Sequence, residues 1–228
     1  MFDDKPILAI ETSQSLCSTC VYFEENKFFE MNFKLKNAHA EKLFNSIDQV
    51  INSAGIKIND IGAIAISSGP GSFTGLRIGM SAAKGIAFGL SILIVPVPTF
   101  EALSLQICSY IPDNTEFIIA NKVNMDEIYF ARFKKHLNGY SFIENLQVLN
   151  HKELNNKIGD ALIFGNASLD SGNNLHPKVQ NKNISSPNAK FVAQWSKLYG
   201  KNKAIFNYDY LEPTYIKNFI IKERKDVN

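Results

Sequence analysis

The amino-acid sequence predicts an α/β fold made of two halves that share one order of elements, βββαβα, each half containing a mixed sheet. Three observations support this prediction. Short apolar runs bounded by polar turns indicate strands. Longer stretches with apolar residues at helical spacing indicate helices between them. The order of these strands and helices then occurs a second time along the 228-residue chain.

The first half contains three strands, a helix, a strand, a second helix and a further strand. The predicted strands lie at residues 7–11, 17–23, 28–34, 61–66 and 92–97. Apolar residues recur at helical spacing from Leu43 to Ala54, and Gly55 stands where a helix commonly ends. The second helix follows a glycine-rich turn and continues to Leu90.

The second half repeats this order. Its predicted strands lie at residues 116–120, 127–134, 140–149 and 161–165, with a helical stretch at 152–158, a polar loop at 168–186 and a helix at 188–199. Two such halves side by side describe the duplicated actin-like architecture, the ASKHA group of ribonuclease-H-like folds, in which a cleft separates two domains. We expect an N-terminal domain at residues 1–104 and a C-terminal domain at 105–228, with the end of the chain returning to the first domain.

The composition predicts a cytoplasmic protein. Three cysteines, Cys17, Cys20 and Cys108, are too few for a disulfide framework in a chain of this size. The apolar stretch at residues 91–97 is shorter than the roughly 20 residues of a membrane helix, and the N-terminal residues do not read as a signal peptide. The net charge of +2 argues against an autonomous nucleic-acid binder.

The second helix is unusually rich in glycine. Residues 67–90 read SSGPGSFTGLRIGMSAAKGIAFGL, and each interior glycine costs about 1 kcal/mol relative to alanine. Gly75, Gly79, Ala83 and Ala87 follow one another at i, i+4 positions and give one side of the helix almost no side chain. This stripe is typical either of a subunit interface or of close packing on the protein's own sheet.

The glycine-rich turn is also a candidate phosphate cradle, because a glycine loop between a strand and a helix directs backbone N–H groups at an anion. Its candidate contacts are Gly71, Ser72, Thr74 and Arg77. It is not a Walker loop, since no Gly-Lys-Ser/Thr follows. The alternative for Arg77 is a solvated arginine in the first helical turn.

Six segments together resemble the TsaB (YeaZ) family. They read, in chain order, ILAIETSQSLCS, NAHAEKL, GPGSFTGLRIGMSAAKGIAFGL, PVPTFEAL, MDEIYFARF and LEPTYIKNF. The glycine-rich segment is the most specific of them, and the resemblance extends over nearly the whole chain. The chain departs from the family pattern at Lys122-Val123-Asn124, where an Asp-Ala-Arg is usual, and at Lys217, which replaces an arginine.

The resemblance implies an actin-like scaffold subunit that pairs with the homologous catalytic subunit TsaD to install threonylcarbamoyl on tRNA adenosine, with TsaE as an accessory ATPase. It places the pairing surface on residues 39–54 and 76–90, and the interface residues that we expect are His39, Leu43, Ile47, Gly75, Gly79, Ala82, Ala83 and Ile86. ATP or ADP is expected only at the partner interface, tRNA only through the complex, and a homodimer is an option for the isolated chain.

No catalytic residue and no metal site are predicted. The two turns that would grip phosphate in an actin-like ATPase, at residues 11–15 and 121–126, contain no glycine. We therefore interpret Glu11 as a local hydrogen-bond acceptor. His39 lacks a second histidine at i+4, so the helical metal pair of TsaD-like enzymes is missing. The alternatives, a stand-alone small-molecule kinase and a metallopeptidase, would require these features.

Overall fold

The computed structural model describes residues 5–34, 39–167, 179–181 and 184–216. Two five-stranded sheets and five α-helices make up this part of the chain. The first half contains β1 (Ile7–Glu11), β2 (Leu16–Glu24), β3 (Lys27–Lys34), α1 (His39–Ser53), β4 (Ala63–Gly69), α2 (Phe73–Leu90), β5 (Leu93–Pro98) and α3 (Thr99–Cys108). The second half contains β6 (Glu116–Lys122), β7 (Glu127–His136), β8 (Gly139–Asn150), α4 (Leu154–Ile158), β9 (Leu162–Phe164), β10 (Val179–Asn181) and α5 (Ala189–Tyr199).

The two sheets have the same topology. Their strand orders are β3-β2-β1-β4-β5 and β8-β7-β6-β9-β10. In each sheet the first three strands form an antiparallel meander, and the last two run parallel to the first strand. The predicted duplication and the mixed sheets are therefore confirmed.

The helices cover the first sheet on both faces. Alternate residues of β1 point to opposite sides: Leu8 and Ile10 pack in one core cluster with α1 and α2, whereas Ile7 and Ala9 pack in another with α3 and α5. The second sheet packs on α3 with one face and on α4 with the other. The result is a stack of five layers with α3 between the two sheets.

Helix α5 follows the second sheet in the chain but packs on the first sheet, where Val192 and Trp195 are buried among residues of β1, β4 and β5. Residues 204–216 also run along the first sheet and α2, beginning with a bridge between Ile205 and Ile94. Helix α5 lies on the first sheet because its apolar face packs against the apolar residues of that sheet.

A buried polar cluster ties α3, β8 and α5 together. The Glu101 carboxylate accepts hydrogen bonds from the Tyr140 hydroxyl at 2.8 Å and from the Trp195 indole N–H at 3.2 Å. Burial, reinforced by the charge of Glu101, raises the pKa of Tyr140. The two halves are thus joined by directional bonds as well as by apolar packing.

Two elements differ from the sequence prediction. Helix α3 was not predicted, because the domain boundary was placed across it, although Pro98 precedes its first turn in a position that suits proline. Strand β10 lies inside residues 168–186, which were predicted to be a loop. Within the described residues, no helix has both the length and the apolar character that a membrane span requires.

Candidate functional site

Helix α2 is the centre of the candidate site. It begins at Ser72, whose side chain accepts a hydrogen bond from the backbone N–H of Gly75 at 3.2 Å, so the serine serves as an N-cap. Its packing on the sheet, its contact with α1 and its exposed surface together decide which residues a partner can reach.

The glycine stripe of α2 faces the protein's own first turn, which is the second of the two interpretations given for it. A Cβ on Gly75 would overlap the backbone oxygen of Thr12, and one on Gly79 would overlap the Thr12 hydroxyl. That hydroxyl donates a 2.7 Å hydrogen bond to the Gly75 carbonyl. The small residues therefore allow α2 to lie directly on the turn after β1.

The structure places most residues of the predicted interface inside the protein. Leu43, Ile47, Ala82 and Ala83 are buried in the core. Gly75 and Gly79 are buried on the side of α2 that lies on Thr12. Ile86 is half-buried against the same core. The side chain of His39 lies outside the described residues. Ala82 nevertheless lines a surface depression, whereas the folded chain itself covers the other buried residues.

A different row of small residues on α2 faces outward. Ser81, Gly85 and Gly89 follow one another at i, i+4 positions and are exposed, and a Cβ on either glycine would meet no atom within 4 Å. Two aromatic side chains stand beside the row, Phe44 of α1 with 54 % of its surface exposed and Phe88 of α2 with 78 % exposed. Large exposed aromatics next to a small-residue surface are typical of a docking face.

A depression lies between α1 and α2 along this row. Its volume is about 410 Å³, and it is lined by Phe44, Arg77, Ile78, Ser81 and Ala82. The lining is mostly apolar, with the arginine at one end. We use the name docking face for the exposed surface formed by Phe44, Ser81, Gly85, Phe88 and Gly89.

The end of the described chain meets the start of α2 beside this face. The Arg77 guanidinium lies 3.8 Å from the centre of the Phe73 ring, and its Nε donates to the Tyr215 hydroxyl at 3.2 Å. The backbone N–H of Thr214 donates to the Ser68 carbonyl at 2.6 Å. Arg77 is therefore held in place by a residue of its own helix and by a residue from the end of the described chain.

The chain itself occupies part of the predicted phosphate cradle. The Ser72 backbone N–H donates to the Ser13 carbonyl at 2.6 Å, and Gly71 lies so close to Ser13 that a Cβ would overlap it. Thr74 and Arg77 remain exposed. An anion could reach the latter two residues but would find the Ser72 N–H group already engaged.

Glu11 is the hydrogen-bond acceptor that the sequence predicted. It is fully buried, and its carboxylate accepts from the backbone N–H of Ser13 at 2.5 Å and from the Ser67 hydroxyl. Burial raises its pKa to about 7. The corresponding turn of the second half is closed by Asn121, which donates to the Ser185 carbonyl at 2.7 Å and accepts from the Asn166 backbone at 3.1 Å.

Both turns end in side chains whose polar atoms form hydrogen bonds within the protein. The part of the chain that the structure describes contains no group of three His, Cys, Asp or Glu side chains arranged to hold a metal. Lys122, where the chain departs from the family pattern, donates its backbone N–H to the Asn166 side chain at 2.7 Å, and Lys217 lies outside the described residues.

The chain is similar in sequence to proteins of known description. The family model described as TsaD, tRNA N6-adenosine threonylcarbamoyltransferase, matches residues 34–139. The tRNA threonylcarbamoyladenosine biosynthesis protein TsaB of Haemophilus influenzae is 24% identical over 93% of this chain and 93% of its own length. The protein of the same description from Buchnera aphidicola subsp. Baizongia pistaciae is 29% identical, over 82% of this chain and 87% of its own.

Solved structures agree with the fold. YeaZ from Pseudomonas aeruginosa superposes with a TM-score of 0.75 at 20% sequence identity, and the match covers 92% of this chain and 99% of that one. Agreement over nearly the full length of both chains confirms the α/β fold with two mixed sheets.

Proposed function

Because the chain belongs to the TsaB family, we propose that it works in tRNA threonylcarbamoyladenosine biosynthesis as the non-catalytic subunit that binds and activates a TsaD-like transferase. The observation that carries the proposal is the docking face on α1 and α2. This face exposes two phenylalanines beside a row of small residues, a surface to which a partner helix can come close.

The family comparison supports the choice of partner. The TsaD model matches residues 34–139, which include α1 and α2 entirely. A TsaD-like partner would therefore present helices of the same kind, and two homologous surfaces can pair around an approximate twofold axis. The same argument leads us to expect a homodimer through this face when the chain is alone. A TsaE-like ATPase and tRNA would join the resulting complex.

The closed turns support the proposed non-catalytic role. Glu11 and Asn121 stand at the ends of β1 and β6, where an actin-like ATPase would hold phosphate and its metal, and both side chains are bonded to neighbouring strands and loops. A transferase that works through this chain would therefore bring its own catalytic residues.

Reconstitution tests the proposal. The cognate TsaD-like transferase, TsaE-like ATPase, threonylcarbamoyl-adenylate and unmodified tRNA would be combined with and without this chain, and the modified nucleoside would be measured by mass spectrometry. We expect modification to depend on the chain, and the chain without the transferase to form no product. Full modification in its absence, or product formation by the chain alone, would contradict the proposal.

We propose further that ATP or ADP binds beside the docking face once the partner is in place. Arg77, Ser81 and Lys84 line a depression of about 260 Å³ that also contains Glu212. Two cations against one carboxylate, with hydroxyls from Ser81 and Tyr215, suit a phosphate group. The depression is open on one side, where residues of the bound partner could complete a nucleotide site.

Nucleotide binding is therefore expected only in the complex, and Arg77→Ala should weaken it about tenfold or more, since a charge-assisted hydrogen bond contributes about 1.5–3 kcal/mol. Isothermal titration calorimetry with ADP would measure this, with Lys57→Ala as the control for a general loss of positive charge. Equal affinity of the Arg77→Ala complex would place the nucleotide elsewhere.

A further inference from the structure

The carboxyl group of Glu11 is buried at the point where β1 and β4 end side by side. Ile10 pairs with Ile66 in the parallel register, so Glu11 lies opposite Ser67. The Glu11 carboxyl accepts a hydrogen bond from the Ser67 hydroxyl. Its other oxygen accepts the Ser13 N–H at 2.5 Å. A fully buried carboxyl normally requires a cation or a functional reason, because water no longer stabilises its charge.

Neutral groups surround Glu11 on every element packed against it. The turn provides Thr12 and Ser13, β4 provides Ser67, and α2 lies over this turn with Gly75 and Gly79. From β2 the titratable neighbour is Cys17, and burial raises the pKa of that thiol to about 11, so it is uncharged near neutrality. Among the described residues, no lysine, arginine or histidine forms an ion pair with Glu11.

Ser13 connects Glu11 to the docking helix. The Ser13 N–H is held by the Glu11 carboxylate, and the Ser13 carbonyl accepts the Ser72 N–H at 2.6 Å, immediately before α2 begins. Thr12 lies between Glu11 and Ser13, and its hydroxyl donates a 2.7 Å hydrogen bond to the Gly75 carbonyl. A continuous set of hydrogen bonds therefore leads from the Glu11 carboxyl to the first two turns of α2.

We propose that Glu11 is a positioning residue that seats α2 on the first turn, and that it seats the helix more firmly when it is protonated than when it is ionised. The inference rests on the proposed function, because it takes α2 to be a partner-binding helix. Ionisation leaves a negative charge without a counter-ion, and the turn then opens more readily to hydrate it. The hydrogen bonds from Ser13 and Ser67 favour the ionised form, but the cost of burying the charge is larger, so the turn stays closed more firmly around the neutral carboxyl.

The sign of the effect follows from the proton count. The seated helix holds the proton of Glu11 more tightly than the opened turn does, since burial raises the pKa from 4.5 to about 7. Seating is therefore favoured below neutrality and is lost progressively as the pH rises through 7. Partner affinity, which depends on the seated helix, should fall in the same direction.

The test compares the wild type with Glu11→Gln, which keeps the shape and cannot ionise. Hydrogen exchange of the chain alone at pH 6 and pH 8, corrected for the intrinsic rate, would report on the amides of residues 73–79. We expect the wild type to lose about threefold or more of its protection from pH 6 to pH 8, and the glutamine variant to lose none. Glu25→Gln, an exposed carboxyl on the β2–β3 turn, should behave as the wild type does.

Titration with the TsaD-like partner supplies the second measurement. The partner dissociation constant of the wild type should rise a few-fold over the same pH interval, and that of Glu11→Gln should stay constant. Identical pH profiles of α2 exchange in the two proteins would overturn the role of Glu11. If neither protein binds the partner at any pH while the exchange profiles differ as expected, the proposed function fails and the positioning role stands.

Discussion

Gly75→Ala is expected to lower the thermal unfolding midpoint by about 5–10 °C. The added methyl group would overlap the Thr12 carbonyl oxygen, a backbone atom that cannot move without breaking the turn held by Glu11. Because the overlapped atom belongs to the backbone, we expect the overpacking cost to exceed the usual range and reach about 3–4 kcal/mol, against a gain of about 1 kcal/mol from the better helix former. A loss of about 2–3 kcal/mol corresponds to the stated shift for a chain of this size.

The matched control is Gly85→Ala in the same helix. An added methyl at this exposed position would meet no atom within 4 Å, so only the helix propensity changes, and the midpoint should rise by about 2–4 °C. Differential scanning fluorimetry on both variants would decide. A Gly75→Ala protein as stable as Gly85→Ala would mean that the stripe does not lie on the first turn.

Phe88→Glu is expected to weaken binding of the cognate TsaD-like partner at least about 30-fold, since a central interface aromatic contributes about 2 kcal/mol or more. Phe88 exposes 78 % of its surface in the free chain, so its replacement should leave the fold intact. A buried carboxylate in the complex would add a desolvation cost to the lost contact. Biolayer interferometry with the immobilised partner would measure the change.

Leu137→Glu is the control for this prediction. Leu137 is 82 % exposed at the hairpin between β7 and β8, away from α1 and α2, and the same change of chemistry there should leave the affinity unaltered. Gly85→Leu, which fills the exposed row without adding charge, should weaken binding as Phe88→Glu does. If Leu137→Glu is the variant that loses binding, the docking face has been assigned to the wrong side of the molecule.

Much of the fold could be predicted from the sequence because most elements have one strong local pattern. The strands β1, β4 and β6 contain continuous apolar runs, and α1 and α5 have apolar residues at helical spacing. The sequence prediction failed where long-range packing decides. Helix α3 lies between both sheets and is buried almost all round, so it lacks the one-sided pattern of a surface helix.

The candidate site shows the same limit at the level of single residues. The motif drew attention to α2, yet α2 carries two small-residue rows, and spacing alone does not tell which row faces the sheet. The exposed row could have been suspected from Phe88, because a large aromatic is improbable on the side of a helix that lies on a turn. The contact between Arg77 and Tyr215 joins residues 138 positions apart, and no local pattern predicts it.

Hydrogen exchange of this chain, free and saturated with its TsaD-like partner, tests the central claim most directly. The account predicts that partner binding slows exchange in α1 and α2, including the exposed row around Gly85, and leaves the hairpin between β7 and β8 unchanged. Slower exchange confined to the second sheet, with α1 and α2 unaffected, would contradict the docking face and with it the proposed way in which this chain activates the transferase.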